Sequence, residues 1–268
     1  MSATLAIAVN AFRESVRDKV LYNLVLFAVV MIGASYLIGQ LTAGQDVKII
    51  KDLGLSATSA FGLFIAVFIG IGLVSKEVER KSIYSLLAKP ISRASFIIGK
   101  FLGLVLTLAV NVAAMTVAYY AVLAYMNWMA EPGMRESWPA PATDVRLVVP
   151  IVLILAQLTV VTAIALFFST FSSPLLSALL TLCIWTAGHF NADLRNFQAV
   201  VDSPPAVYTA RTLYYLLPNF ASFDVKTQVV HGDAVPPADV ALTLAYAVVY
   251  VAALLVAAVA VFRRRDFK

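Results

Sequence analysis

The chain has 268 residues, 61% of them hydrophobic and only 13% charged, with a formal net charge of +5. Charged residues make up about a quarter of a soluble domain, so this composition excludes an ordinary water-soluble fold, and length is better counted in membrane spans of about 20 apolar residues each. One cysteine, Cys183, excludes an intrachain disulfide and a cysteine-rich metal site, and His189 and His231 lack metal-ligand spacing.

Residues 1–19 read as an amphipathic helix. Leu5, Val9, Phe12, Val16 and Val20 recur at steps of three and four, while Asn10, Arg13, Glu14 and Arg17 take the other face. Such a helix lies flat at the membrane interface, its basic side towards anionic lipid. A first span follows at about 20–41, then a short loop with Asp46, Lys48, Lys51 and Asp52. The second span, about 53–75, carries Gly54, Gly62, Gly70 and Gly72, small residues that permit close helix approach.

Residues 75–103, SKEVERKSIYSLLAKPISRASFIIGKFLG, form a charged island between apolar runs. The third span begins inside it and runs over about 96–125, with Lys100 expected to snorkel from its first turns. Residues 126–146 are polar and proline-rich, with Trp128 and Trp138 suited to interfacial anchoring. From 147 to 190 there is no Asp, Glu, Lys or Arg. At 1.5 Å per residue this is about 66 Å of helix, twice a bilayer, so it folds back once. Ser172-Ser173-Pro174 marks the turn, with Ser173 as cap and Pro174 at the first helical position, giving spans at about 147–171 and 174–191. Residues 192–239 form a long loop in which 207–217, with Tyr208, Tyr214 and Tyr215, predict a short helix ended by Pro218. The last span, about 240–262, stops at Arg263-Arg264-Arg265.

The expected fold is therefore an all-α polytopic membrane protein: one domain, six transmembrane helices, an N-terminal interface helix, and both termini on one side. Thirteen Lys and Arg fall on the side of the termini and the island, and seven on the other. The positive-inside rule makes the first side cytoplasmic and the 192–239 loop extracytoplasmic. Sidedness also accounts for the basic balance, which does not point to nucleic acid.

No catalytic set is visible. Gly99-Lys100 lacks the glycine of a phosphate-binding loop, since Ala94 stands five residues earlier, and no HExxH motif or nucleophile elbow is present. The middles of the spans carry no ionisable group of the kind that ion-coupled carriers need. Asn23, Gln40, Asn111 and Gln157 read as interhelical hydrogen-bonding groups, His189 as a satisfied interfacial histidine near the outer end of the fifth span, and Cys183 as a small buried hydrophobe.

In the island, Ile83, Tyr84, Leu86 and Leu87 make an apolar edge on a short helical stretch ended by Lys89-Pro90. On the residues alone two readings stand. One is a solvated loop with ordinary positive-inside bias, the other a helix that fits a groove on a cytosolic partner.

The island resembles the second intracellular segment of ABC-2 type transporter permeases, especially those grouped with multicopper-enzyme maturation systems. The resemblance rests on Glu77, Glu79, Arg80, Leu86, Leu87, Pro90, Ile91, Ser92, Arg93, Gly99 and Lys100, with support from Ala11-Phe12-Arg13-Glu14 and the basic C-terminus. It implies a coupling helix in which Glu77, Glu79, Arg80, Tyr84, Leu86, Leu87, Pro90 and Arg93 meet an ATPase subunit. It also implies a second contact at Ser172, Ser173 and Pro174, and an interface helix using Phe12, Arg13 and Arg17. The implied protein binds no cofactor or metal itself. ATP and Mg²⁺ would sit on a separate cytosolic ABC ATPase, with a second permease copy and membrane lipids as further partners, in a bacterial inner membrane. Cargo stays open between a lipid-like or amphipathic substrate and force transmission to a periplasmic partner. The alternative is a non-transporting membrane anchor for other subunits.

Overall fold

The computed structural model describes residues 2–41, 46–79, 92–136, 138–191 and 204–264, apart from the side chains at 46, 73–79, 204, 206 and 264. Among the described residues the chain is helical, with no strand. The helices are α1 (Ala3–Val16), α2 (Lys19–Gln40), α3 (Asp46–Glu79), α4 (Arg93–Met129), α5 (Pro132–Glu136), α6 (Val148–Ser169), α7 (Pro174–His189), α8 (Pro204–Leu216), α9 (Lys226–Val230) and α10 (Pro237–Arg264). Short 3-10 turns at Val145–Leu147 and Ala221–Phe223 lead into α6 and α9.

Helix starts follow local chemistry. Ser2, Asp18 and Ser92 precede α1, α2 and α4, and each side chain accepts a first-turn backbone N–H. Pro174 opens α7, where its missing N–H costs nothing. Ser173 occupies the cap position in extended conformation, but its hydroxyl does not cap the helix as expected. Ser172 takes the bonding role, donating to Phe168 O at 2.9 Å and pairing with Ser177 Oγ at 2.7 Å.

Five helices are long and apolar enough to cross a membrane: α2, α3, α4, α6 with its leading turn, and α10. α7 is apolar but has 16 residues, about 24 Å of rise. The centre is α6 against α3. In their apolar windows 67% and 61% of residues are buried, against 22% in α2 and 11% in α10. α6 is apolar on every side and sits among α3, α4, α7 and α10, as an all-round hydrophobic helix must. α10 is equally apolar yet peripheral, with Leu242, Val248, Val249 and Val256 about 70% exposed. In a bilayer that exposure is not penalised.

Three of the α3 glycines admit neighbours. A Cβ at Gly54 would strike the Tyr119 ring, one at Gly62 would strike Leu158, and one at Gly70 would lie 2.7 Å from Ala165 Cβ. Among the described residues nothing lies within 4 Å of a Cβ placed at Gly72.

Several expectations need correction. α3 begins at Asp46, so Lys51 is not a loop residue but a buried helical one, 1% exposed. Lys100 does not snorkel; it is 2% exposed. The packing face of α1 is Ala8, Ala11 and Ser15, while Leu5 is half exposed. Small residues let the α1 backbone approach α4, while Val9, Phe12 and Val16 are only partly covered. Asn111 bonds within its own helix, donating to Thr107 O at 2.7 Å. Cys183 is exposed on α7 rather than buried. Trp128 is 75% exposed, whereas Trp138 packs against the core.

Candidate functional site

One end of the molecule gathers α1, the start of α4 and the end of α10. Arg93, the first residue of α4, donates from Nη1 to Phe262 O at 3.0 Å and Arg263 O at 2.9 Å. These carbonyls belong to the last turn of α10, which has no intrahelical donors and carries the negative end of the helix dipole. A guanidinium is the natural cap there. Phe96, one turn on, stacks on Phe262 with centroids 5.9 Å apart and planes at 17°.

The next turn of α4 holds α1. Cβ atoms at Gly99 and Gly103 would lie 2.8 Å from Ile7 Cβ and 2.5 Å from Ala8 O, so α1 runs in close contact across both positions. Lys100 lies between them, with Nζ 3.6 Å from Glu14 Oε2 and 5.9 Å from the Phe96 ring centroid. Burying an ammonium is costly unless it is paired, so Lys100 ties the far end of α1 to α4. Ala11, Phe96, Ile97, Phe101, Leu104, Ala163, Leu166, Ala258 and Phe262 form one apolar cluster beneath these polar contacts. The result is a junction that joins α1, α4, α6 and α10 within the second half of the charged island, from Arg93 onward.

Of the residues expected to meet an ATPase, Glu77 and Glu79 lie in the last turn and a half of α3. Arg80, Tyr84, Leu86, Leu87 and Pro90 lie outside the described residues. Arg93 is half-buried, its guanidinium engaged by α10. Ser173 and Pro174 are exposed at the α6–α7 turn and Ser172 is partly covered. On α1, Phe12 is partly covered while Arg13 and Arg17 are exposed.

The opposite end carries a polar cluster that sequence reading missed. Lys51 Nζ donates to Pro141 O at 2.7 Å, and Tyr119 OH donates to the Lys51 carbonyl at 3.2 Å. Tyr120 OH donates to Asp144 O at 3.2 Å, and Arg146 Nη1 to Gly232 O at 3.1 Å. Together they strap residues 138–147 over the ends of α3 and α4. The signal was present: Val47, Ile50, Lys51, Gly54 and Thr58 fall at steps of three, one, three and four, one helical face that includes the lysine.

Beside this cluster, Asn191 Nδ2 donates to Tyr214 O and Leu217 O, both at 3.1 Å, holding the end of α8 to the end of α7. His189 Nδ1 donates to Trp185 O at 2.8 Å, which in the neutral ring leaves Nε2 to accept from Gln157 Nε2 at 3.2 Å. That pair is the expected interhelical bond. Among the described residues no group of three or more His, Cys, Asp or Glu side chains converges as a metal site would require.

A comparison with curated proteins gave no match. The family model described as "ABC-2 family transporter protein" matches residues 5–267, from the first turn of α1 to beyond the end of α10. Permeases of that family are membrane components without an ATP-binding cassette, and they normally pair with an ATPase subunit. The chain thus belongs to the ABC-2 transporter family, as a multi-pass membrane permease subunit of an ABC transporter.

Proposed function

We propose that this permease converts ATP hydrolysis on a separate cytosolic ATPase into export, through the segment between α3 and α4. ATP and Mg²⁺ are bound by that partner, and the chain itself performs no chemistry. The observation that carries the reading is the charged island flanked by two long helices, one running unbroken to Glu79 and the other starting at Arg93. Force passed from residues 80–91 enters α4 at its capped first turn, Ser92–Arg93. It acts on a junction already fastened to α1 and α10, the kind of two-state element that nucleotide can bias.

Six crossings fit this reading. The start of α4 touches both α1 and the end of α10, so the two terminal helices meet at one end, which requires an even number of crossings. The short α7 then completes the six, its 16 residues shielded at one end by Phe220 and the end of α8. With the positive-inside count, the end where α1 meets the last turn of α10 is cytoplasmic, and α8 and α9 lie outside. Glu77, Glu79, Arg80, Tyr84, Leu86, Leu87 and Pro90 form the ATPase contact in this account, and the Ser172–Pro174 turn a second one. Arg93 anchors the segment to α10. A second permease copy covers part of the exposed α2 and α10 faces, in a bacterial inner membrane. The apolar spans suit a lipid-like or amphipathic cargo.

The test is co-purification of the permease with a soluble ATPase carrying a phosphate-binding loop, followed by turnover with and without the permease. A stable complex whose ATPase rate responds to the permease supports the reading. A complex with no change in turnover or conformation on ATP addition would instead make the chain an anchor.

A further inference from the structure

The turn that ends α8 is bonded in a way that a loop in water does not need. Asn191 Nδ2 donates to Tyr214 O and Leu217 O, and Tyr250 OH donates to Leu216 O at 3.0 Å. Asn219 N–H donates to Tyr246 OH at 3.0 Å, and Phe220 N–H to Gly188 O at 3.0 Å. Pro218 stands between them with no N–H to satisfy. The partners come from α7, the residue just beyond its end, and α10. Irregular backbone at the surface can leave its polar groups to water, whereas at membrane depth the protein must bond them itself.

α10 measures that depth. Tyr250 is the midpoint of the apolar span Pro237–Arg263, about 20 Å of helix rise from Arg263. A helical side chain leans toward the helix start, so the end of α8 lies about 20–25 Å from the Arg263 end. The hydrocarbon core is about 30 Å thick, and the end of α8 is therefore inside it. α7 agrees, since its 16 residues rise about 24 Å before reaching the same turn.

α8 is covered on one face, through Val207, Ala210 and Tyr214. On the other, Tyr208, Tyr215 and Leu216 are 72%, 74% and 69% exposed, and Arg211 is exposed between the two tyrosines. Tyr208, Arg211 and Tyr215 follow at steps of three and four, which makes them one stripe. Continuity identifies what meets it. Leu175, Leu179, Cys183, Thr186 and Phe190 are all exposed at steps of three and four, a lipid-facing row along α7 that ends beside Asn191, where α8 is tied. A guanidinium held in hydrocarbon is costly, so α8 does not lie flat at the depth of its end but rises from Leu216 toward Pro204. Arg211 then stands about 8 Å and Tyr208 about 12 Å beyond Leu216. Those are the levels of phosphate, which guanidinium binds well, and of the interfacial tyrosine belt.

We propose that α8 dips into the leaflet opposite the Arg263 end and that its open stripe binds phospholipid. Arg211 meets the phosphate layer, Tyr215 and Leu216 the first part of the acyl chains, and Tyr208 the headgroups. The inference uses only α7, α8 and α10, so it stands or falls apart from the ATPase assignment.

The experiment is spin-label depth measurement on the full-length permease in vesicles of phosphatidylethanolamine and phosphatidylglycerol. Cys183→Ser provides the background, and a nitroxide is attached at Tyr208→Cys, Arg211→Cys or Leu216→Cys in turn. Collisions with oxygen, which concentrates in hydrocarbon, are compared with collisions with a water-soluble nickel chelate. Oxygen wins several-fold at Leu216→Cys, the chelate wins at Tyr208→Cys, and Arg211→Cys falls between. Chelate access at Leu216→Cys equal to that at Tyr208→Cys would place the stripe in water and overturn the proposal. Poor access of both reagents with an immobilised spectrum would mean that protein covers the stripe, a second copy included, and would overturn it as well. Tyr215→Cys, one residue earlier on the open face, gives the same reading should Leu216→Cys not assemble.

Discussion

Replacing a helical glycine by alanine should change stability in opposite directions at Gly103 and Gly33. At Gly103 the new Cβ would sit 2.5 Å from Ala8 O and 2.6 Å from Ala11 Cβ, where ordinary contact begins at 3.4 Å. Both obstacles belong to α1, so the whole helix must retreat by about 1 Å. That retreat works against the buried row Ala8, Ala11 and Ser15 and the second close contact at Gly99. Overpacking of this kind costs about 1–3 kcal/mol, and the alanine returns about 0.5–1 kcal/mol in helix propensity. At the middle of both ranges the net loss is about 1 kcal/mol. Gly33 is exposed on α2 with nothing within 4 Å, so only the gain applies. With about 2–4 °C per kcal/mol for a chain of this size, Gly103→Ala melts about 2–4 °C lower and Gly33→Ala about 1–4 °C higher. Thermal unfolding of both variants in one detergent reads the two signs directly. A Gly103→Ala variant as stable as the parent would refute the close docking of α1 on α4.

Other consequences follow from single side chains. Arg93→Gln removes the guanidinium from the α10 carbonyls. At a half-buried position this costs about 1–2 kcal/mol, and hydrogen exchange across the last turn of α10 speeds up about tenfold, whereas unchanged exchange would dissociate Arg93 from α10. Lys51→Met leaves the Pro141 carbonyl without its donor and frees residues 138–147, so trypsin cuts at Arg146 at least several-fold faster; equal cleavage would deny the strap. Asn191→Ala removes both bonds to the end of α8 at a cost of about 1–2 kcal/mol, read as loss of amide protection over Pro204–Leu216. Retained protection would mean that α8 is held by its apolar contacts alone.

Membrane class and the island were legible in the sequence because both are strong local signals: long apolar runs, and eight charges packed into residues 75–103. The roles of individual helices were not. α6 and α10 are equally apolar, and only tertiary packing makes one the centre and the other the rim. Hydrophobic periodicity located the α1 helix but did not point to Ala8, Ala11 and Ser15 as its packing face, because in a membrane protein small residues pack against protein and bulky ones can face lipid. Lys51 and Lys100 were read as solvated because lysine usually is. Each is buried by a partner distant in sequence, Pro141 and Glu14, that no local pattern announces. Arg93 was expected at the docking surface together with its motif neighbours; its bonds to the carbonyls of residues 262 and 263 span nearly the whole sequence, and no local pattern announces them.

The central claim is that residues 80–91 take up force from an ATPase, and the most direct measurement is permease-stimulated ATP turnover with the double substitution Tyr84→Ala, Leu87→Ala. Removing an aromatic and an aliphatic anchor from a docking helix costs about 2–4 kcal/mol of interface energy. The account predicts normal membrane insertion with ATPase association and stimulation reduced by at least about tenfold. Unchanged stimulation in a correctly assembled complex would contradict it.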